Sequence, residues 1–220
     1  MTPATRIVAV RHGETAWNVE GRVQGHLDIP LNATGRWQVA RLAAALVDEG
    51  IAAIYSSDLS RAVQTAQALG EALSLPVVTD PRLRERSFGV FQALTLAEVQ
   101  ARWPADARRW TQRDPDFAPE AGESLTAVSA RCIGAVTALA QAHAGRTIAV
   151  ITHGGVLDCL YRAATHVDLQ TRRTWALGNA SINRLLYTGE GWTLVGWSDT
   201  RHLDVMALDE SADAADSSPH

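Results

Sequence analysis

Two strand-like stretches of this chain end in the same way. Residues 7–15 read IVAVRHGET, and residues 148–155 read IAVITHGG. Each begins with a short apolar run, typical of a parallel strand buried on both faces, and continues into a histidine and a glycine. Functional side chains gather at the carboxyl ends of parallel strands, and neighbouring strands lie about 4.8 Å apart. We therefore expect His12 and His153 to share one crevice with Arg11, an arrangement that favours phosphoryl chemistry.

The segments around these stretches alternate between helical and strand-like patterns. Helical apolar spacing is found at 33–49, 59–73, 124–143 and from 156 onward. Further strand-like runs are found at 51–55, 76–78, 182–187 and 192–197, the last two as a hairpin. This alternation predicts an α/β sandwich.

Two segments depart from the alternation. Residues 82–122 have weak periodicity, several arginines and three prolines, which indicates an irregular insertion with one or two short helices, comparable to a lid. Residues 209–220 are acidic, small and polar, and we expect them to be disordered. The sequence therefore predicts a single domain over 1–208, a lid-like insertion at about 82–122 and a disordered acidic tail at 209–220.

The composition excludes several classes of function. The formal net charge of the 220 residues is −4, and the acids of the tail account for it, so the body is neutral. A neutral body argues against binding of nucleic acid or of an anionic membrane. All 20 basic residues are arginine, which excludes a Schiff-base lysine and the lysine of a P-loop. Since no run reaches 18 apolar residues, we expect a cytoplasmic protein that does not span a membrane.

The sequence offers little to a metal ion. It contains no HExxH motif, no paired cysteine ligands and no clustered Asp motif. His12 and His153 could supply two ligands, but Arg11 and Arg61 would repel a cation. We therefore expect neither a metal nor another cofactor.

The string at 11–15 suits a nucleophilic histidine. His12 needs one free ring nitrogen while a neighbour holds the other. Arg11 can neutralise a phosphoryl group, and Gly13 lets backbone N–H groups approach an anion closely. A histidine alone is more often a structural residue at the end of a strand, but the complete string RHGET favours the catalytic interpretation.

This string resembles the signature of the histidine phosphatase superfamily, which includes the cofactor-dependent phosphoglycerate mutases. The resemblance extends over most of residues 6–203. Its further matching segments are Asn18 with Gln24-Gly25, SSDLSRA at 56–62, LRERSFG at 83–89, GES at 122–124 and THGG at 152–155. All of these motifs occur in the family's order. The resemblance implies a three-layer α/β/α sandwich around a mostly parallel mixed sheet, the phosphoglycerate mutase-like fold.

The resemblance also implies catalytic roles for five residues. His12 corresponds to the nucleophile that becomes phosphorylated. Arg11, Arg61 and His153 correspond to the other members of the phosphate pocket, whose donors would stabilise the transferring group. Glu85 corresponds to the general acid that protonates the leaving alcohol and then activates water.

Other roles follow from the resemblance less directly. Substrate-binding positions are implied for Asn18, Gln24, Gly25 and Gly154. From the residues alone, Arg61 is by default a solvated surface residue, and a surface salt bridge with Arg84 or Arg86 is the ordinary role of Glu85. His153 could simply end a strand.

The same pocket could serve a phosphatase or a mutase. A phosphatase passes the phosphoryl group to water, whereas a mutase excludes water and returns the group to a second hydroxyl with a bisphosphorylated primer. The insertion at 82–122 is modest, and the acidic tail would repel phosphorylated ligands if it closed over the site. We therefore expect a phosphomonoester hydrolase. The alternatives are a bisphosphoglycerate-dependent phosphoglycerate mutase and a phosphoryl-binding module without catalysis.

The expected partner is a small phosphorylated metabolite. Arg108 and Arg109, within the insertion, are candidates to hold an acidic group of that substrate, although a solvated helix face also explains them. A homodimer could form through the exposed edge of the hairpin, where Trp192 and Trp197 lie, but packing in the core explains these tryptophans equally well.

Overall fold

The computed structural model describes residues 3–204, and a six-stranded sheet forms their centre. The strands are β1 (Thr5–Arg11), β2 (Ile51–Ser56), β3 (Val77–Thr79), β4 (Thr147–Thr152), β5 (Ile182–Thr188) and β6 (Gly191–Asp199). They are ordered β3–β2–β4–β1–β5–β6. Three strand pairs are parallel, and β5 and β6 add two antiparallel pairs at one side. The predicted mixed, mostly parallel sheet is confirmed.

Seven α-helices are found in the described residues. They are α1 (Ala16–Val19), α2 (Ala33–Ala45), α3 (Ser60–Leu73), α4 (Leu96–Arg102), α5 (Pro104–Thr111), α6 (Leu125–Ala142) and α7 (Gly154–Thr165). Ser124 caps α6, since its side chain accepts a hydrogen bond from the Ala127 N–H. Asn32 caps α2 in the same way through the Gly35 N–H.

Helices cover both faces of the sheet because its central strands are apolar on both sides. In β1, Ile7 and Ala9 pack in a cluster with α6 and α7, whereas Val8 and Val10 pack in a second cluster with α2 and α3. All six residues of β4 are buried. Two apolar layers on one sheet give the three-layer α/β/α sandwich, and burial of each large apolar side chain contributes roughly 1.5–3 kcal/mol.

The segment at 82–122 has a small core of its own. Phe91, Val99, Ala107 and Phe117 are buried together there. Trp103 and Trp110 pack against this cluster, with ring centroids 5.5 Å from that of Phe91. The segment therefore contains two short helices, α4 and α5, as expected from the sequence. Whether it acts as a lid stays a prediction.

Several boundaries differ from those predicted. Helix α2 ends at Ala45, four residues before Glu49, and the chain reverses with Gly50 at φ +64°. Helix α7 begins at Gly154, two residues before Val156. The expected acidic tail at 209–220 lies outside the described residues.

Helix α6 is long and apolar enough, by length and composition, to cross a membrane. Its inner face, however, packs in the protein core through Val128, Cys132, Ala135 and Val136. A buried core helix passes the same test, so the helix is accounted for by the fold. The cytoplasmic location stays a prediction.

Candidate active site

The register of the central strands brings the two predicted histidines together. Arg11 pairs with Thr152 across β1 and β4, so the next residues, His12 and His153, leave the sheet side by side. Their ring centroids are 5.2 Å apart. The His12 N–H also donates to the Thr152 carbonyl at 3.0 Å, which extends the pairing by one residue. Both side chains are buried.

The environment of His12 leaves one ring nitrogen as a nucleophile. Its Nδ1 lies 2.7 Å from the Gly13 carbonyl oxygen. Because a carbonyl can only accept, Nδ1 carries the proton and Nε2 keeps its lone pair. Burial, followed by the charges of Arg61 and Arg11, lowers the pKa of His12 well below 6.5. The ring is therefore neutral at physiological pH, as nucleophilic attack requires.

His153 is buried without protein partners. Neither of its ring nitrogens has a hydrogen-bond partner among residues 3–204. Burial first, and then the nearby charge of Arg61, lowers the pKa of His153 well below 6.5. A buried polar group without a partner is costly, and a ligand oxygen in the crevice would satisfy it.

Two arginines complete the crevice. Arg61, in the first turn of α3, donates to the carbonyls of Gly25 and Leu27, both at 2.8 Å, and Arg11 donates to the carbonyl of Leu177. The Nε atoms of both arginines are buried and unpartnered within the described residues. Burial lowers the pKa of Arg61 to about 10, so it remains cationic at neutral pH. These held guanidinium groups can bind an oxyanion with little reorganisation.

Glu85 lines the same crevice and is held there by backbone N–H groups. Its carboxylate accepts hydrogen bonds from the Gly155 N–H, at 3.0 and 3.1 Å, and from the Arg86 N–H at 2.8 Å. The surface salt-bridge interpretation of Glu85 is wrong, because Arg84 pairs with Asp58 at 2.6 Å and the Arg86 guanidinium donates to backbone carbonyls.

Several residues that support the site carried no signal in the sequence. His26 Nε2 donates to the Glu85 carbonyl at 2.8 Å, and Arg131 donates to the same oxygen at 3.2 Å. Asn179 Nδ2 donates to the His12 carbonyl at 3.0 Å. In the folded chain, His26 therefore helps to hold the backbone of Glu85. Its contact joins residues 59 positions apart, so only the folded chain reveals it.

Two adjoining cavities meet at Glu85. The small cavity, of about 170 Å³, is lined by His12, Arg61 and Asn18 among others. The large cavity, of about 630 Å³, lies between the segment at 82–122 and the loop that follows α7. Arg11, Glu85 and Phe88 line both. A phosphoryl group in the small cavity would therefore have the rest of its substrate in the large one.

The four substrate-binding residues that were predicted outside the insertion lie at these cavities. Asn18, Gln24 and Gly25 line the small cavity, and Gly154 lines the large one. The side-chain Oδ1 atom of Asn18 accepts hydrogen bonds from Thr15 and Asn179, so the side-chain NH₂ group remains available as a donor. The Gln24 Oε1 atom is buried without a partner within residues 3–204.

The structure places Arg108 and Arg109 away from both of these cavities. Both are exposed and neither lines a described cavity. Arg109 instead pairs with Asp114 at 2.8 Å and lies over the Phe117 ring. In α5 the buried face carries Ala107, which directs the two following residues toward solvent. The arginines that do line the large cavity beyond Arg11 are Arg86, Arg113, Arg172 and Arg173.

The side chains that meet in the crevice have the chemistry of a phosphoryl site. Within residues 3–204, no three His, Cys, Asp or Glu side chains are grouped as metal ligands. Two neutral imidazoles, two fixed guanidinium groups and one carboxylate suit a dianionic phosphoryl group and a proton transfer beside it.

Comparison with known proteins agrees with this geometry. The model of the histidine phosphatase superfamily (branch 1) matches residues 7–200. The chain therefore belongs to the histidine phosphatase superfamily, as the sequence motifs indicate.

Individual relatives cover almost the whole chain. Phosphoglycerate mutase-like protein 4 of Arabidopsis thaliana is 39% identical over 214 residues, which are 96% of this chain and 92% of the relative. The structure of mycobacterial glucosyl-3-phosphoglycerate phosphatase with VO3 is 35% identical with a TM-score of 0.79, covering 88% of this chain and 98% of that one. Phosphoserine phosphatase of Entamoeba histolytica, in complex with 3-phosphoglyceric acid, is 25% identical with a TM-score of 0.82, covering 90% and 99%. The phosphoglycerate mutase-like fold is thereby confirmed.

Proposed function

We propose that this protein is a phosphomonoester hydrolase that acts on small phosphorylated metabolites through a phosphohistidine intermediate on His12. One observation carries the proposal. The His12 ring is neutral, with Nδ1–H held by the Gly13 carbonyl, so Nε2 presents a lone pair beside Arg11 and Arg61. Two solved relatives are named as phosphatases, which supports the same reaction class.

In the first step, Nε2 of His12 attacks the phosphorus atom and the bond to the leaving alcohol oxygen breaks. Arg11, Arg61 and His153 hold the equatorial oxygens, where charge is greatest in the transition state. Glu85, which enters this step as the neutral acid, gives its proton to the leaving oxygen, so the alcohol leaves neutral and Glu85 becomes a carboxylate. His12 now carries the phosphoryl group, and its Nδ1–H remains on the Gly13 carbonyl.

In the second step, the Glu85 carboxylate takes a proton from water as the water oxygen attacks phosphorus. The bond from Nε2 to phosphorus breaks, inorganic phosphate leaves, and both His12 and Glu85 return to their starting states. The position of Glu85 supports both of its roles, since its carboxylate lies where the small and large cavities meet. General acid–base catalysis of this kind contributes typically 10²–10⁴-fold.

The remaining parts of the chain have supporting roles in this proposal. Residues 1–208 form one catalytic domain, and the segment at 82–122 acts as a lid, because Phe88, Trp110 and Arg113 form one wall of the large cavity. Asn18, Gln24, Gly25 and Gly154 contact the substrate. The enzyme works in the cytoplasm, and its chemistry uses neither a metal nor another cofactor.

The second candidate function is bisphosphoglycerate-dependent phosphoglycerate mutase, which the name of the Arabidopsis relative favours. The two reactions share the first step and differ in whether water or a second hydroxyl receives the phosphoryl group. The large cavity, of about 630 Å³, leaves room for water beside Glu85, which favours hydrolysis. A non-catalytic binding module would have no use for a carboxylate in the same cavity as a free imidazole nitrogen.

Two incubations distinguish these functions. The metal-free protein is given p-nitrophenyl phosphate and, separately, 3-phosphoglycerate with a trace of 2,3-bisphosphoglycerate. We expect release of inorganic phosphate without interconversion of phosphoglycerates. Primer-dependent interconversion with little phosphate release would instead identify a mutase, and no turnover in either assay would favour the binding module.

A further inference from the structure

The large cavity carries more positive charge than one phosphoryl group requires. Five arginines line it, against only two carboxylates, Glu85 and Asp158. We propose that Arg172 and Arg173 bind a second oxyanion on the leaving alcohol, so that the enzyme selects phosphomonoesters of acidic alcohols. This inference rests on the proposed hydrolase function and identifies the substrate class of the same site.

The other arginines of the cavity already have partners. Arg113 pairs with Asp158 at 2.6 Å. Arg86 donates to the carbonyls of Phe117 and Glu123, both at 2.8 Å. Arg11 lines the small cavity as well and is committed to the phosphoryl group.

Arg172 and Arg173 differ from these residues. Both are exposed, and neither makes a side-chain hydrogen bond or an ion pair with any part of residues 3–204. Two adjacent guanidinium groups on the wall of a cavity, without a described counter-charge, form a site for an anion.

The loop that carries them is fixed on both sides. Before the pair, Arg162 donates to the carbonyls of Asp168 and Thr171, the latter at 2.8 Å. After the pair, the Trp175 ring stacks on Tyr161 with centroids 3.9 Å apart, and the Arg162 guanidinium lies 4.7 Å from the Trp175 centroid. Arg162 is itself buried and paired with Asp158 at 3.0 Å. The short arginine segment is therefore held in place, which reduces the entropic cost of binding.

The direction of the leaving group places an oxyanion on this side. A substrate whose phosphoryl group lies in the small cavity extends past Glu85 into the large one, where the two arginines lie. Burial is the main cause of the lowered pKa of Arg11, Glu85 opposes the effect, and repulsion by Arg173 adds to it. The charge of Arg173 is therefore close enough to be felt at Arg11. Guanidinium forks match both carboxylate and phosphate oxygens.

The test compares substrates that differ only in the acidic group. 3-Phosphoglycerate is compared with glycerol 3-phosphate for a carboxylate, and fructose 1,6-bisphosphate with fructose 6-phosphate for a second phosphate. We expect the wild-type enzyme to prefer one acidic ester over its neutral counterpart in kcat/KM. In the variant Arg172→Gln/Arg173→Gln, the ratio of kcat/KM for the acidic ester to that for the neutral ester should fall about tenfold or more, as expected for lost charge-assisted hydrogen bonds. Its rate on the neutral ester should not change.

A matched variant controls for general electrostatic attraction. Arg108→Gln/Arg109→Gln removes the same charge from an exposed pair that lies outside the cavity, and it should change neither rate. Equal losses on acidic and neutral esters, or no wild-type preference for either acidic ester, would overturn the inference and leave the hydrolase function intact.

A binding measurement keeps the inference testable if turnover is absent. Calorimetry on a His12→Ala background should show that Arg172→Gln/Arg173→Gln weakens binding of 3-phosphoglycerate or fructose 1,6-bisphosphate about tenfold, and binding of inorganic phosphate much less. Unchanged affinity for both acidic esters would overturn the inference. Failure of every ester to turn over would overturn the hydrolase function instead.

Discussion

At the scale of single residues, the position of the Glu85 carboxylate depends on a glycine. The Gly155 N–H donates to both carboxylate oxygens, and a Cβ atom added at residue 155 would overlap Glu85 Oε1. Any side chain at 155 must therefore move the proposed general acid. The motif THGG contains two glycines, and the contact gives a physical reason for the second.

We predict that Gly155→Ala slows hydrolysis of glycerol 3-phosphate at least tenfold and hydrolysis of p-nitrophenyl phosphate much less. Nitrophenolate can leave without being protonated, whereas an alkoxide needs a proton from the general acid. Steady-state kinetics on the two esters measure the difference, and Glu85→Gln should show the same pattern. Gly134→Ala is the control, since an added Cβ at that position in α6 has no neighbour within 4 Å. Equal slowing of both esters by Gly155→Ala would count against Glu85 as the acid.

Residue-scale predictions from the sequence succeed where a motif is local and fail where a contact is distant. RHGET and THGG place His12, His153 and their glycines because strand and turn are encoded within a few residues. The bond from His26 to the Glu85 carbonyl joins distant segments and leaves no pattern in the sequence.

At the scale of the elements, α6 begins where its cap residue predicts. The Ser124 side chain accepts from the Ala127 N–H at 3.1 Å and satisfies one of the free donors at the helix start. The same helix supplies Val128 to the wall of the large cavity. A stable start of α6 therefore supports the site as well as the core.

We predict that Ser124→Ala lowers the free energy of unfolding by about 1 kcal/mol, the usual cost of losing such a cap. Urea denaturation followed by circular dichroism measures it. Ser129→Ala, within the same helix, is the matched control and should be neutral or slightly stabilising because alanine has the higher helix propensity. Equal stability of Ser124→Ala and the wild-type protein would show that the cap contributes nothing.

Helical periodicity predicts the long helices well, but it predicts the structure of the segment at 82–122 poorly. Helices α3 and α6 have apolar faces that extend over several turns, and both are predicted. Helix α5 has only eight residues, so its apolar spacing does not determine which side is buried. That is why the position of Arg108 and Arg109 could not be predicted, and why Arg172 and Arg173, in a loop without periodicity, gave no signal.

At the scale of the whole molecule, the site makes folding sensitive to acid. The pKa values of His12 and His153 are lowered from 6.5 by burial and by neighbouring arginine charges. In the unfolded chain both rings titrate near 6.5. Below that pH the unfolded state therefore binds more protons than the folded state, and stability falls as the pH falls. Above about pH 6.5 both rings are neutral in the folded and the unfolded state, so they do not contribute to the pH dependence of stability.

We predict that His153→Gln reduces the loss of stability between pH 7.5 and pH 5, because one lowered histidine pKa is removed. Urea midpoints at several pH values measure the slope, whatever the absolute stability of the variant. His166→Asn, at an exposed position at the end of α7, should keep the wild-type slope. A wild-type slope in His153→Gln would mean that this histidine is not held neutral in the fold.

The fold as a whole could be predicted from the alternation of apolar strands and amphipathic helices, since each strand of the central sheet has its own local signature. The geometry of the site depends instead on register. Pairing of Arg11 with Thr152 is what sets the two imidazoles side by side, and a shift by one residue would point one of them away.

The central claim is that His12 accepts the phosphoryl group, and trapping the intermediate tests it most directly. The protein is mixed with p-nitrophenyl phosphate, quenched in base within milliseconds because phosphohistidine is labile in acid, and digested for mass spectrometry. The account predicts one phosphoryl group on His12 that forms before phosphate is released, with neither label nor turnover in His12→Ala. Turnover that persists in His12→Ala, or a phosphoryl group on another residue, would contradict it.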